Sequence, residues 1–86
     1  DCAIHVWGSS ISLAANAHLS FSLENVFFIE IPRIKLEISD HLWIEKPKFL
    51  DGFLRLSDAP GLGIDINDKT KNMFPLIKNS GFKIKK

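Results

Sequence analysis

The first 32 residues of this chain contain no lysine or arginine, and this feature constrains the fold more than any other. The first cation is Arg33, and the only acids before it are Asp1, Glu24 and Glu30. A long stretch without lysine or arginine is typical of a segment that is almost wholly buried. Because a chain of 86 residues buries only about 60–65% of its unfolded surface, we expect this stretch to need further protein to cover it.

Residues 2–32 are predicted to form a strand, a helix and a second strand. The apolar runs Cys2–Val6 and Val26–Ile31 are too short for helices and are rich in β-branched and aromatic residues, which indicates buried strands. Between them, Ser9 or Ser10 can cap a helix that runs to about Leu23.

The predicted helix is apolar around most of its circumference. Ser12, Asn16 and Ser20 are spaced four apart and form one narrow polar stripe, while most other positions are Ala, Leu, Ile or Phe. The small residues allow close approach to a sheet on one side and to neighbouring helices on the other. His18 lies within this helix, where we expect a structural hydrogen bond, since the three histidines of the chain lack the spacing of a metal site.

Two titratable side chains fall where the predicted strands end. His5 lies at the end of the first strand, and Glu30 ends an otherwise apolar row before Pro32 stops the second. On pattern alone each has a structural interpretation. His5 would be a histidine that is hydrogen-bonded to neighbouring backbone, and Glu30 would be a carboxylate that points into water at the end of its strand. Each also has a functional one, because strand ends carry the reactive side chains of parallel α/β enzymes. Trp7 either packs beside them or lines a pocket.

The second part of the chain, residues 33–86, carries all the cations and several turn signals. Arg33–Pro47 alternates apolar and charged residues, which fits either a short strand or an irregular loop in which His41 and Trp43 pack. Asp51-Gly52 predicts a β-hairpin with a type I′ turn, because glycine tolerates a positive φ.

Further along, the Gly-x-Gly at positions 61–63 lacks the third glycine and the following helix of a dinucleotide site. Asn67 or Asp68 can cap a short helix that Pro75 limits. The lysine-rich tail from Lys78 to Lys86 is expected to be a solvated end.

Composition argues against several classes of function. A net charge of +1 gives no case for binding nucleic acid or a membrane surface. No apolar run approaches the roughly 18 residues that cross a bilayer. The single cysteine, Cys2, is expected to pack in its strand, and the absence of a second cysteine fits a reducing cytoplasm.

The chain opens in mid-strand without an initiator Met, so we expect a fragment of a larger protein.

The sequence resembles the mandelate racemase and muconate lactonizing branch of the enolase superfamily over about residues 2–70. The resemblance lies in HVWGSSISLAANAH at 5–18, FFIE at 27–30, DGFLRL at 51–56 and PGLGIDI at 60–66. It implies an α/β fold, the C-terminal fragment of a (β/α) TIM-type barrel. Residues 1–32 would be the last two barrel strands and the helix between them. Residues 33–86 would be a C-terminal extension that contains the β-hairpin and packs on the capping domain.

The resemblance also implies a Mg²⁺-dependent enzyme that abstracts the α-proton of a small carboxylate substrate. An acid-sugar dehydratase, which is a lyase, is the first expectation, and a racemase or cycloisomerase is the alternative within the family. His5 would be the general base, and Glu30 would donate a hydrogen bond to the developing enolate. Trp7 would contact the substrate. The Mg²⁺ ligands would lie on upstream strands, so this chain would hold no metal ligand and would be inactive alone.

Within such an enzyme, this chain would pack against the remainder of the barrel and the capping domain, in a cytoplasmic homo-oligomer without nucleic-acid or membrane partners. The alternative from a different class is a stand-alone α+β interaction module with no catalytic activity, whose exposed apolar helix docks a partner. An upstream reading frame of barrel length, about 250 residues, would favour the enzyme. A start codon near Asp1 would favour the module.

Overall fold

The computed structural model describes residues 1–81; residues 82–86, within the predicted lysine-rich tail, lie outside the described part. Within residues 1–81, no helix is long and apolar enough to cross a bilayer. The elements in chain order are β1 (Cys2–His5), α1 (Ser10–Ser22), β2 (Val26–Glu30), a 3₁₀ helix (Glu37–His41), β3 (Lys48–Leu50), β4 (Phe53–Arg55) and α2 (Asp68–Met73).

The strands β1 and β2 are parallel neighbours connected through α1, which confirms the predicted strand–helix–strand unit. In their register Ile4 lies opposite Ile29 and His5 lies opposite Glu30. Beyond the strand, the backbone N–H of Val6 donates to the carbonyl of Glu30 at 3.2 Å and extends the pairing by one residue. The β2 run is therefore a strand, as its length and its aromatic and β-branched residues predicted.

The helix α1 begins and ends close to the predicted positions. Ser9 is its N-cap, and the Ser9 hydroxyl accepts a hydrogen bond from the backbone N–H of Ile11 at 3.3 Å. The polar stripe satisfies itself within the helix: Asn16 Nδ2 donates to the Ser12 carbonyl at 2.9 Å, and Ser20 Oγ donates to the Asn16 carbonyl at 2.7 Å. The stripe therefore needs no partner from outside α1.

One face of the β1–β2 sheet carries the apolar positions that this chain covers. Ile4 and Ile29 are half-buried, whereas the alternate positions, including His5, Phe28 and Glu30, are exposed. Since successive strand residues point to opposite faces, the helix covers the Ile4 and Ile29 face. The buried apolar side chains of the described residues are few, at 0–2% exposure: Val6, Ala14, Ala17 and Leu42.

Large apolar side chains of the cation-free segment remain uncovered by residues 1–81. Phe28 on β2 is 73% exposed, and Phe27 beside it and Phe21 on α1 are each 63% exposed. Cys2, which we expected to be packed within its strand, is also exposed. Phe28 lies on the second face of the sheet, whereas Phe27 lies on the same side as Ile29. The described residues thus leave large parts of this segment uncovered, which agrees with the expectation that it needs further protein to cover it.

The segment Arg33–Pro47 forms an irregular loop with a 3₁₀ helix, the second of the two structures that its pattern allowed. Its attachment to α1 is polar: Ser10 Oγ donates to the Ser39 carbonyl at 2.6 Å, and Ser39 Oγ accepts from the Ser10 backbone N–H at 3.1 Å. The Ser39 carbonyl is thus bonded to the first residue of α1, and further along the segment Trp43 makes an isolated antiparallel bridge with Ile64.

The predicted β-hairpin is present at Asp51-Gly52. The strands β3 and β4 are antiparallel, with Phe49 opposite Leu54. Asp51 and Gly52 have φ values of 51° and 78°, and positive φ at both central positions is the mark of a type I′ turn.

The Gly61–Gly63 stretch fastens the chain to the loop that precedes the hairpin. The backbone N–H of Ile44 donates to the Gly63 carbonyl at 3.0 Å, and that of Asp65 donates to the Leu42 carbonyl at 2.9 Å.

The helix α2 begins after Asn67, as predicted, and Asn67 Oδ1 accepts from the Thr70 backbone N–H at 2.9 Å. Buried Thr70 then joins α2 to the 3₁₀ helix, because its Oγ1 donates to the His41 carbonyl at 3.1 Å. The ring of His41 packs on Phe74 at a centroid distance of 5.4 Å, which confirms its predicted packing role.

The Ser10–Ser39 contact gives a testable prediction for stability. Ser10 is only 4% exposed, so Ser10→Ala leaves the Ser39 carbonyl without its donor and should lower the free energy of unfolding by about 1–3 kcal/mol. Urea denaturation followed by circular dichroism measures the change. Ser22→Ala is the control, because the exposed Ser22 hydroxyl bonds only within α1 and its loss should change stability by less than about 0.5 kcal/mol. Equal losses in the two variants would contradict the argument.

Candidate functional site

The structure brings together the two titratable residues predicted at the strand ends. Nδ1 of His5 lies 2.7 Å from Oε2 of Glu30. The contact follows from local structure, because His5 and Glu30 are partners in the parallel register and close β1 and β2. Adjacent parallel strands place partner side chains on one face, so two residues 25 positions apart in sequence meet at one edge of the sheet.

The His5–Glu30 pair lies on the uncovered face of the sheet. Its side chains are 70% and 64% exposed within residues 1–81, so water screens their attraction and the contact contributes little to stability. By strand alternation Phe28 shares this face and is also exposed. The His5–Glu30 contact is therefore neither part of the hydrophobic core nor a buried ion pair.

An imidazole in contact with a carboxylate provides the groups of general acid–base chemistry. Histidine exchanges a proton near neutral pH, and a neighbouring carboxylate stabilises the charge that appears on the ring. Both side chains remain accessible from the open face. The arrangement can therefore take a proton from a molecule placed against this face of the sheet.

Trp7 is not part of the His5–Glu30 contact. It is 68% exposed and follows β1. It lines a small cavity of about 70 Å³ together with Gly8, Pro32, Ile34 and Leu36, and neither His5 nor Glu30 lines that cavity. Its predicted contact with substrate stays a prediction.

A larger cavity that the sequence did not reveal lies between the start of α1 and the loop after β2. Its volume is about 420 Å³, and its walls include Trp43 and two lysines, Lys35 and Lys46. Lys46 forms an ion pair with Asp40 at 3.5 Å. The alternation of apolar and charged residues in Arg33–Pro47 is the one sequence signal for this cavity, and it does not show that the loop folds back onto α1. His5 and Glu30 are not among the lining residues.

The described residues do not fit a metal site. Residues 1–81 contain no group of three or more His, Cys, Asp and Glu side chains that could hold a metal ion. The hydrogen bonds within the same range do not include the His18 side chain, for which we expected a structural bond. A Mg²⁺ ion needs several oxygen ligands around one point, and the His5–Glu30 pair includes only a single carboxylate.

Comparison with known proteins gives one match. A family model described as "Enolase C-terminal domain-like" matches residues 1–70, which include the strand–helix–strand unit, the hairpin and the start of α2. No curated protein and no solved structure matches.

The arrangement of the carboxylates gives a prediction for Mg²⁺ binding by residues 1–86 alone. The isolated chain should show no stoichiometric, tight Mg²⁺ binding, because the described acids do not converge. Isothermal titration calorimetry measures this directly, and Ca²⁺ is a useful second cation because it accepts looser oxygen geometry. A saturating one-to-one Mg²⁺ isotherm that Glu30→Gln abolishes would contradict the prediction.

Proposed function

The chain belongs to the enolase C-terminal domain-like family, and on that premise we propose that it forms the last two barrel strands of an enzyme that removes the α-proton of a carboxylate substrate. The observation that supports this most is the 2.7 Å contact between His5 and Glu30 at the ends of adjacent parallel strands. Active sites of (β/α) barrels are built at this end of the strands.

In this proposal His5 is the general base and Glu30 assists at the same site. Removal of a proton α to a carboxylate leaves two negative charges on the ene-diolate, so the reaction needs both a base and groups that stabilise charge. Enolase-superfamily sites use a Lys or His base together with Mg²⁺ for this purpose. His5 supplies the base, and Glu30, if protonated, would donate to the ene-diolate as the family resemblance implies.

The proposal places the Mg²⁺ ligands outside residues 1–81. The described acids do not converge on one point, so this chain supplies the proton-transfer residues and other parts of the enzyme supply the ligands. Bound Mg²⁺ would supply charge neutralisation at the substrate carboxylate.

We favour dehydration of an acid sugar as the reaction. His5 takes the α-proton, and the electrons of the broken C–H bond pass into the ene-diolate intermediate. The return of these electrons forms the double bond between the α- and β-carbons as the β-hydroxyl leaves as hydroxide. In the racemase alternative the same intermediate is reprotonated on its opposite face, and in a cycloisomerase it rearranges. All three reactions share the removal of the α-proton, which is the step that His5 of this chain would carry out.

The exposed apolar surface supports further protein around this chain. Phe28 and Phe27 on β2 and Phe49 and Phe53 on the hairpin are each at least 60% exposed. We propose that the rest of the barrel covers β2, that the extension 33–86 packs on a capping domain, and that the enzyme is a cytoplasmic homo-oligomer. Trp7 would then face substrate.

A second candidate function rests on the same exposure. Leu19 and Phe21 on α1 are 50% and 63% exposed, which fits the docking surface of a non-catalytic interaction module. The coding sequence upstream of Asp1 separates the two functions, because only the enzyme requires a long open frame with acidic strand ends.

The role of His5 predicts the result of its replacement in the complete enzyme. His5→Asn keeps a polar side chain of similar shape and cannot accept the proton, so exchange of the substrate α-proton with solvent should fall by about 10²–10⁴-fold or more. Proton NMR in D₂O measures the exchange. The control is His18→Asn, which changes a histidine on α1 away from the pair and should leave exchange unchanged. Normal exchange of substrates of both configurations by His5→Asn would leave His5 a structural residue.

The role of Glu30 predicts a smaller effect for Glu30→Gln. An amide can still donate a hydrogen bond to the developing enolate, so the loss in turnover should not exceed the roughly 10²–10³-fold loss of one stabilising donor. The measurement is kcat at saturating substrate. Glu24→Gln, at an exposed position before β2, is the matched control. A loss in Glu30→Gln larger than that in His5→Asn would reverse the proposed order of importance.

A further inference from the structure

We propose that the cavity of about 420 Å³ between the start of α1 and the loop Arg33–Pro47 is a second binding site, whose ligand is a small organic anion with an apolar body. The site is separate from the His5–Glu30 pair, and the inference does not rest on the function proposed above.

The cavity lies on the opposite side of the strands from the His5–Glu30 pair. Its walls include Val6 and Ile31, the residues that directly follow the two members of the pair in the sequence. Successive residues of extended chain point to opposite faces, so these two side chains point away from the face that carries the pair. A ligand in the cavity would therefore occupy a different place from a molecule at the candidate catalytic groups.

Contacts along the loop Arg33–Pro47 fix the walls of the cavity. Ser39 is bonded to the buried residue Ser10 at the first turn of α1, at 2.6 Å and 3.1 Å. Further along the loop, Trp43 makes an antiparallel bridge with Ile64. Sites for small molecules are usually formed before the ligand arrives and have volumes of roughly 300–1,000 Å³. The cavity meets both conditions.

The charged groups of the cavity fit an anion. Lys35, Lys46 and Asp40 line it, so two positive charges face one negative charge. Asp40 pairs with Lys46 at 3.5 Å, whereas the ion pairs within residues 1–81 do not include Lys35. The Lys35 ammonium has only donor hydrogens, as does the indole of Trp43. A carboxylate or a similar oxyanion supplies the acceptor oxygens and the negative charge that these groups lack.

The apolar walls determine the rest of the ligand. Trp43, Ile34 and Leu36 all line the cavity, and within residues 1–81 Ile34 is 69% and Leu36 is 45% exposed. A ligand with an aromatic or branched hydrocarbon group would remove this surface from water, which stabilises the complex. Inorganic phosphate or sulfate would leave it exposed. The lining therefore fits an aryl or branched alkyl carboxylate better than an inorganic anion.

Isothermal titration calorimetry of the complete natural protein with phenylacetate tests the site. Excess EDTA prevents the carboxylate from binding through a divalent cation. We expect saturable binding of one equivalent. Phenylacetamide has the same shape without the charge, and it should bind at least about tenfold more weakly because it loses a charge-assisted hydrogen bond. Acetate lacks the apolar body and should also bind more weakly than phenylacetate.

Four variants assign the binding to this cavity. Lys35→Met keeps an apolar side chain and removes the charge, so the affinity for phenylacetate should fall about tenfold. Lys48→Met is the matched control, because Lys48 is also exposed and does not line the cavity. Asp40→Asn should raise the affinity about two- to fivefold, since it removes the carboxylate that neutralises Lys46. His5→Asn should leave the affinity unchanged.

Three results would overturn the proposal. The first is no saturable binding of phenylacetate by the complete protein, because the cavity would then be closed or filled by other parts of the enzyme. The second is an equal loss of affinity in Lys35→Met and Lys48→Met, which would show attraction to general positive charge. The third is a loss in His5→Asn with none in Lys35→Met, which would place phenylacetate at the catalytic pair. That third result would leave the proposed enzyme function standing, so the two proposals fail separately.

Discussion

The parallel pairing of β1 with β2 is the interaction on which the rest of the structure depends. Parallel neighbours require a crossover, and α1 provides it within the chain between them. The register then decides which side chains meet, and it places His5 against Glu30. A slip of one residue would turn Glu30 to the opposite face and separate the pair. The candidate site is therefore a consequence of strand register and not of a loop conformation.

The helix α1 links this pairing to the remainder of the chain. Its alanines Ala14 and Ala17 are fully buried, so the helix approaches its neighbours closely without bulky side chains. Its polar stripe bonds within the helix, and the polar contact to the second part of the chain comes from Ser10 at its first turn. Through Ser10 the 3₁₀ helix and the loop around it are held near the strand ends.

The uncovered second face of the sheet sets the limit of what this chain does alone. Two paired strands with exposed aromatic residues are marginally stable in water unless another element covers them. The family match over residues 1–70 supports a barrel as that cover. On the function proposed above, the exposed His5–Glu30 pair would form one wall of a site, and the other walls and any metal ligands would come from other parts of the enzyme.

Local sequence patterns determined the elements of this protein. Apolar runs, the Ser9 cap, Asp51-Gly52 and the Asn67 cap each act over a few residues, and so the strands, hairpin and helices were predictable, as was the placement of His5 and Glu30 at strand ends. Tertiary structure alone decided the register that joins this pair, the folding of Arg33–Pro47 onto Ser10, and the large cavity beside Trp43. These depend on contacts between distant residues, whose energies no local pattern records, because each partner is equally compatible with several arrangements until the whole chain packs.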